Sequence, residues 1–283
     1  MLEKLKGKAD GVIVGSLFAN GFSYTIDELK EIMNYTIANR MGFYVMIDTF
    51  IAEGELSLLE SYMKQISDWG VDGVFFHDLS VLMVGKKCHM LEKLIYDGQS
   101  VLCNTLEAAY YLSKGIDCCI IARELTFEEI MTIVKNNKGK IGLQAFGHIR
   151  LSYSKRRFLT NYFKEVKKDY VFMGKESLTL QEEQRKYRMP IVEDEFGTKI
   201  YSDFIVEMYE ELPDLARYLK RIYIDTLFVD DDLALRVVED YRKISKDNKT
   251  DFKNRLYRDY GNRFSTGYLY VKTNVTKDEQ EER

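Results

Sequence analysis

Short apolar runs recur about every 20 to 30 residues through the first 173 positions, at 11–14, 43–47, 73–76, 100–102, 118–122, 141–146 and 170–173. Most are bounded by Gly or Asp, as strands buried on both faces usually are. Between them lie stretches with helical spacing at 25–39, 57–69, 106–114 and 126–136. Three carry a capping-box signature: Thr25 with Glu28, Ser57 with Glu60 and Thr126 with Glu129. A strand that returns parallel needs a right-handed crossover helix, so this alternation predicts an α/β parallel sheet or barrel.

The rhythm changes at Pro190. MPIVEDEFGTKIYSD sets two apolar stretches either side of Phe196-Gly197, which predicts a β-hairpin excursion near residues 190–203 inserted in the barrel. The alternation resumes with a helix at 212–219, where Pro213 suits the first turn, a strand at 221–224 and a helix at 233–244. Segment 245–255, rich in Lys, Asp and Asn, reads as an exposed connection. GYLYVKT from Gly267 reads as a final strand or docked arm, and 273–283 as a charged, disordered tail. With 46% apolar residues in 283, the chain can bury one substantial core, expected as a single barrel domain over 1–272.

Charge and cysteine usage exclude several classes. The 41 basic and 45 acidic residues give a net charge of −4, so any contact with nucleic acid has to be a local patch. Cys88, Cys103, Cys118 and Cys119 show no CxxC or Cys/His ligand spacing, and read as buried or half-buried free thiols in a reducing compartment. No apolar stretch reaches the roughly 18 residues of a membrane span, and the opening MLEKLKGKAD is too polar for a signal peptide, so a cytoplasmic protein is expected. GxGxxG, P-loop, HExxH and GxSxG motifs are absent, which leaves nucleotide hydrolysis, zinc proteolysis and serine hydrolysis without support.

In a parallel barrel the functional groups gather at the carboxyl ends of the strands. Those ends carry Gly15-Ser16, Asp48-Thr49, His77-Asp78, Asn104-Thr105, Arg123-Glu124 and Gly147-His148. The ring suggests a site for a small molecule or an anion. Arg123-Glu124 either binds an acidic ligand beside a proton acceptor or forms a structural ion pair. His77 and His148 are candidate proton carriers, although an isolated His is more often structural. Asp78 joins this catalytic set, with Asp48 and Asn104 as ligand-binding candidates. The run SKRR, with Lys155 and Arg156, and the following Lys164, Lys167 and Lys168 interleave with Tyr153, Phe158 and Tyr162. Such a patch can hold phosphate and stack a base, and a solvated loop explains it about as well.

In order and spacing, ADGVIVG, YVMID, GVDGVFFHD, CIIARELTFEEI, FGHIRLSYSKRRFLTNYF and YIDTLFVDDDLALRVVEDYRK resemble the U32 peptidase family over roughly residues 9–272. ARELTFEEI at 122–130 is the most specific element, and the length is that of the family's short members. The resemblance implies a TIM-like (β/α) barrel and a link to hydroxylation of nucleic-acid bases, such as formation of 5-hydroxyuridine in tRNA or hydroxycytidine in ribosomal RNA. Other relatives take part in oxygen-independent quinone hydroxylation, and collagenase-like activity is attributed to some. Better-equipped members carry iron–sulfur cysteines in the segment matching 147–157, where this chain has Arg150 and Arg157. A guanidinium cannot replace a thiolate on iron, so no intrinsic cluster is expected. The usual His-Gly of this segment also reads Phe146-Gly147. The family opens on an apolar strand before ADxVxVG, of which 1–8 supply only part of the following helix. The first barrel strand is therefore expected to be missing, or the start misassigned, leaving edges a partner could cover. The resemblance implies tRNA uridine hydroxylation together with a longer, cluster-bearing paralogue. A collagenase-like peptidase and a noncatalytic barrel scaffold are the alternatives.

Overall fold

The computed structural model describes residues 1–19, 24–175, 178–183 and 187–272. Six strands, β1 (Gly11–Gly15), β2 (Gly42–Ile47), β3 (Gly73–Phe76), β4 (Leu94–Asp97), β5 (Cys118–Ile120) and β6 (Ile141–Ser154), pair in that order, all parallel. Helix α1 (Leu2–Leu5) precedes β1, and α2 (Ile26–Ala38), α3 (Leu56–Trp69), α4 (Leu79–Lys87), α5 (Thr105–Leu112) and α6 (Phe127–Asn136) occupy the crossovers. Thr25 and Thr126 close complete capping boxes with Glu28 and Glu129. Ser57 does not, because α3 has already begun one residue earlier with Glu55 as its N-cap.

The chain continues through α7 (Phe158–Glu165), β7 (Leu178–Leu180), β8 (Met189–Asp194), β9 (Gly197–Glu207), α8 (Leu212–Leu215), β10 (Arg221–Ile224), α9 (Asp231–Lys243), α10 (Lys249–Tyr260) and β11 (Phe264–Ser265). Besides β5, strand β6 serves two further neighbours. Its first half pairs parallel with β10, and its second half pairs antiparallel with β9. The expected hairpin is thus β8–β9, turned at Asp194 and Gly197. Gly197 has φ +133°, and a Cβ there would lie 2.0 Å from the Ser154 carbonyl oxygen, so only glycine fits where the hairpin crosses β6.

The result is an incomplete TIM-like barrel. β1 pairs with β2 and β10 with β6, and among the described residues no strand joins β1 to β10. Burial reports the same opening. Outward residues Phe43, Val45 and Ile47 are buried under helices, while Ile13, Tyr44 and Met46, which face the barrel interior, are only half-buried. On the closed side Phe75, Ile95, Cys118 and Ile120 fill the interior. Each such side chain contributes roughly 1.5–3 kcal/mol by leaving water.

Several expectations are corrected. The fourth strand is Leu94–Asp97 rather than 100–102, where Val101 is 60% exposed after a turn. Residues 170–173 form no strand, and Tyr170 and Phe172 pack on Phe163 of α7 instead. The helix expected at 212–219 is the single turn of α8. Much of 245–255 is not a connection but part of α10, which is hard to see in sequence because Leu256 is its only buried residue. The segment from Gly267 is a docked arm, its Leu269 carbonyl accepting from the Phe127 N–H at 2.9 Å. Residues 273–283 lie outside the described residues.

Candidate functional site

Strand alternation builds the site. Asp48 lies two residues beyond Met46, His77 two beyond Phe75, Asp97 two beyond Ile95 and Asp225 two beyond Tyr223, so each continues an inward-facing row past the apolar interior. A polar layer forms where the strands end.

One centre in this layer is Asp97 with Arg123. The Arg123 guanidinium donates to both carboxylate oxygens of Asp97 at 2.8 Å, to Gln144 Oε1 at 2.6 Å, and to the Tyr223 hydroxyl. Burial works against the charge on Arg123, but Asp97 more than offsets it, and the arginine stays protonated. This is a one-to-one bidentate pair, and four of the five guanidinium N–H donors are used.

The second centre is Asp48. Arg150 from β6 binds one of its oxygens and Lys199 from β9 the other, while His77 Nδ1 stands 3.7 Å away. Burial pushes the Asp48 carboxyl up, yet the Arg150 and Lys199 charges prevail and hold it well below the usual range. Lys199 is fully buried, and burial lowers its ammonium to about 8 despite Asp48. His77 is lowered by burial to about 4 and is neutral, its Nε2 buried without a hydrogen-bond partner. One carboxylate therefore faces two cations.

His148 Nδ1 lies 2.7 Å from the Ser202 carbonyl oxygen, which can only accept, so Nδ1 carries the proton and Nε2 the lone pair. Burial lowers this imidazole as well. Among the described residues no cation is bonded to Asp225. Burial raises its carboxyl to about 6, against one hydrogen bond from the Leu227 N–H at 3.0 Å. It sits where β10 meets a bend in β6 at Gly147, whose φ is +119° and where a Cβ would come within 2.5 Å of the Asp225 carbonyl oxygen. Asp48, Asp97, Arg123, Gln144, His148, Arg150 and Asp225 line a cleft of about 310 Å³. Behind Arg123 and Gln144 lies a small, mainly apolar pocket walled by Ile121, Leu143, Ile149, Met208 and Leu269.

Of the residues expected from sequence, Asp48, His77, Arg123 and His148 belong to this layer. Others do not. Asp78 caps α4, accepting from the Ser80 N–H at 2.8 Å and the Ile51 N–H at 3.0 Å, and Asn104 caps α5 through the Glu107 N–H at 2.9 Å. Glu124 is exposed, and the carboxylate paired with Arg123 is Asp97. Lys155 donates to the Phe50 carbonyl oxygen at 2.7 Å and to Glu55 at 2.9 Å outside the cleft, and Arg156 is exposed. Sequence reasoning missed Asp97, Gln144, Lys199, Tyr223 and Asp225, and took Arg150 only as a replaced cysteine. Asp225 follows the expected strand 221–224 directly, so the strand-end rule could have found it.

The thiols do not fit an iron–sulfur cluster. Cys118 faces the barrel interior and Cys119 the helices, Cys88 is the C-cap of α4, and Cys103 is exposed before α5, contrary to the expected burial. Arg150 is committed to Asp48, and Arg157 is exposed at the start of α7.

These features sit in a recognisable lineage. The family model described as peptidase family U32 matches residues 10–279, and the chain belongs to that family. It is 31% identical over 184 residues to tRNA hydroxylation protein P2 of Bacillus subtilis (strain 168), a match taking in 63% of this chain and 60% of that protein. It is 25% identical over 302 residues to the uncharacterized protease MJ0090 of Methanocaldococcus jannaschii, covering 97% of this chain and 71% of that one. With tRNA hydroxylation protein P1 of Bacillus subtilis (strain 168) it shares 26% over 171 residues, 57% of this chain and 40% of that protein.

Proposed function

We propose that this member of peptidase family U32 takes part in hydroxylation of tRNA uridine, its cleft holding the base or a small acidic co-ligand, beside a longer, cluster-bearing paralogue. The observation that carries the reading is the Asp48 centre. Two cations share one carboxylate there, near the strand ends where barrel enzymes bind their ligands, and Arg150, which lines the cleft, can turn its further N–H groups to an anionic or carbonyl-rich group. Arg150 can donate, and Asp48, Asp225 and the His148 Nε2 lone pair can accept, the mixed set that a uracil edge or a carboxylate needs. The names of the two Bacillus subtilis relatives support a tRNA substrate. The scattered thiols favour assigning the redox step to a partner. A tRNA substrate would place the protein in the cytoplasm, and no helix among the described residues is long and apolar enough to cross a membrane.

The peptidase reading has less support. A nucleophile needs a base within hydrogen-bond reach. His77 contacts Asp48 and His148 a backbone carbonyl, and neither bonds a hydroxyl or thiol side chain.

The test is mass spectrometry of tRNA nucleosides from the native host with and without this gene, and from a strain that also lacks the longer paralogue. Loss of 5-hydroxyuridine derivatives in the single deletion is expected. Unchanged nucleosides in both strains would refute the reading.

A further inference from the structure

Between the end of β6 and the hairpin, the chain leaves the barrel with a charge unlike that of the rest. Residues 154–175 hold seven Lys or Arg against Glu165 and Asp169, in a chain whose net charge is −4. Lys155 pairs with Glu55 and Arg157 donates to the Glu195 carbonyl oxygen, but other basic groups are not consumed in this way. Arg156, Lys164, Lys167 and Lys168 are exposed, and none forms an ion pair among the described residues.

Helix α7 within this segment has a fixed side and an open side. Glu193, fully buried on β8, accepts the Leu159 and Thr160 N–H groups at 2.7 and 2.9 Å and also the Thr160 hydroxyl, which clamps the helix start onto the hairpin. Phe163 packs on Tyr170 and Phe172. On the open side, Phe158 and Tyr162 are one helical turn apart and 48% and 60% exposed. Exposed rings among unpaired cations suit a polyanion whose units can stack, which is single-stranded nucleic acid.

The arm also leads to the cleft. Strand β6 carries Arg150 in the cleft, then Tyr153, whose ring stacks on Phe50 at 4.9 Å and 8°. Phe50 is 46% exposed, and Lys155 bonds its carbonyl oxygen. From Arg150 to Phe158 is at most about 25 Å of chain, the span of a few nucleotides. We infer that α7 and residues 153–168 form a docking arm for single-stranded RNA, with the Phe50–Tyr153 stack between the arm and the cleft. The inference rests on the tRNA reading for the identity of the RNA, while its geometry stands apart from the reaction.

Fluorescence anisotropy of the full chain with end-labelled oligouridylate tests it. Tyr162→Ala is expected to weaken binding about tenfold through lost stacking. Lys164→Glu, Lys167→Glu and Lys168→Glu together are expected to weaken it at least about tenfold and to flatten the dependence of log affinity on log salt by about two. All four side chains are exposed, and an unchanged thermal midpoint verifies the fold. No binding by the unaltered chain, or affinity and salt slope unmoved in both variants, overturns the inference. So does loss of binding to phosphatidylglycerol vesicles with RNA binding intact. If oligouridylate binding needs α7 while gene deletion leaves host nucleosides unchanged, the docking arm stands and the hydroxylation reading falls. If nucleosides change but RNA affinity ignores α7, the arm alone falls.

Discussion

The two carboxylate centres at the barrel mouth differ in balance. Asp97 meets one guanidinium, bidentate, which also donates to Gln144 and Tyr223. Asp48 meets two cations, one wholly buried, with a neutral histidine alongside. The first is a closed strut that ties β4, β5, β6 and β10 together. The second joins β2 to β6 and β9 and sets two cations on one carboxylate, with Arg150 of the two lining the cleft. Both contain an arginine, Arg123 just beyond β5 and Arg150 within β6, and they differ in the number of cations that meet the carboxylate.

The comparison can be broken most directly by removing each acid. Asp48→Ala leaves Arg150 and Lys199 without their counter-ion and should cost about 3–5 kcal/mol of stability, read by urea denaturation. Asp97→Ala should cost less, about 2–4 kcal/mol, since Arg123 keeps Gln144 and Tyr223. Equal losses, or a larger one at Asp97, would reverse the assignment. Asp225, which belongs to neither pair, sharpens the contrast through pH. Its folded carboxyl lies near 6, above the unfolded value of 3.8, so the folded state binds the extra proton between those values and loses stability as pH rises through that window. Asp225→Asn should therefore stabilise the protein at pH 8 by about 1–3 kcal/mol and remove that decline. A mutant as pH-dependent as the wild type would show that Asp225 is not the titrating group. The smallest effects lie outside both centres. Asn104→Ala should cost about 1 kcal/mol through the lost cap of α5, and exposed Glu124→Ala should stay within about 0.5 kcal/mol. A larger loss at Glu124 would restore the Arg123–Glu124 pairing that the sequence suggested.

Much of this was legible in the chain. Alternating runs and the Thr25 and Thr126 boxes located most of β1 to β6 and their helices, and the strand-end rule found Asp48, His77, Arg123 and His148. The same rule misassigned Asp78 and Asn104 because the end of a strand is also the start of the next helix, where Asp and Asn serve as N-caps. Asp97 escapes the same rule because the apolar run at 100–102 mimics the fourth strand, which is Leu94–Asp97. Lys199 was invisible for a different reason. It reaches Asp48 only because the hairpin folds back antiparallel onto β6, a long-range pairing that no local pattern encodes. Arg150 was noticed for what it replaces, while its role depends on a carboxylate 102 residues away.

The most direct test of the Asp48 centre as the ligand site is the tRNA nucleoside content of a deletion strain complemented with Arg150→Met. Lys199 then still neutralises Asp48, so the protein should fold and accumulate like the wild type. The expected result is normal abundance with 5-hydroxyuridine derivatives lost. Wild-type levels of those nucleosides at matched abundance would contradict the account.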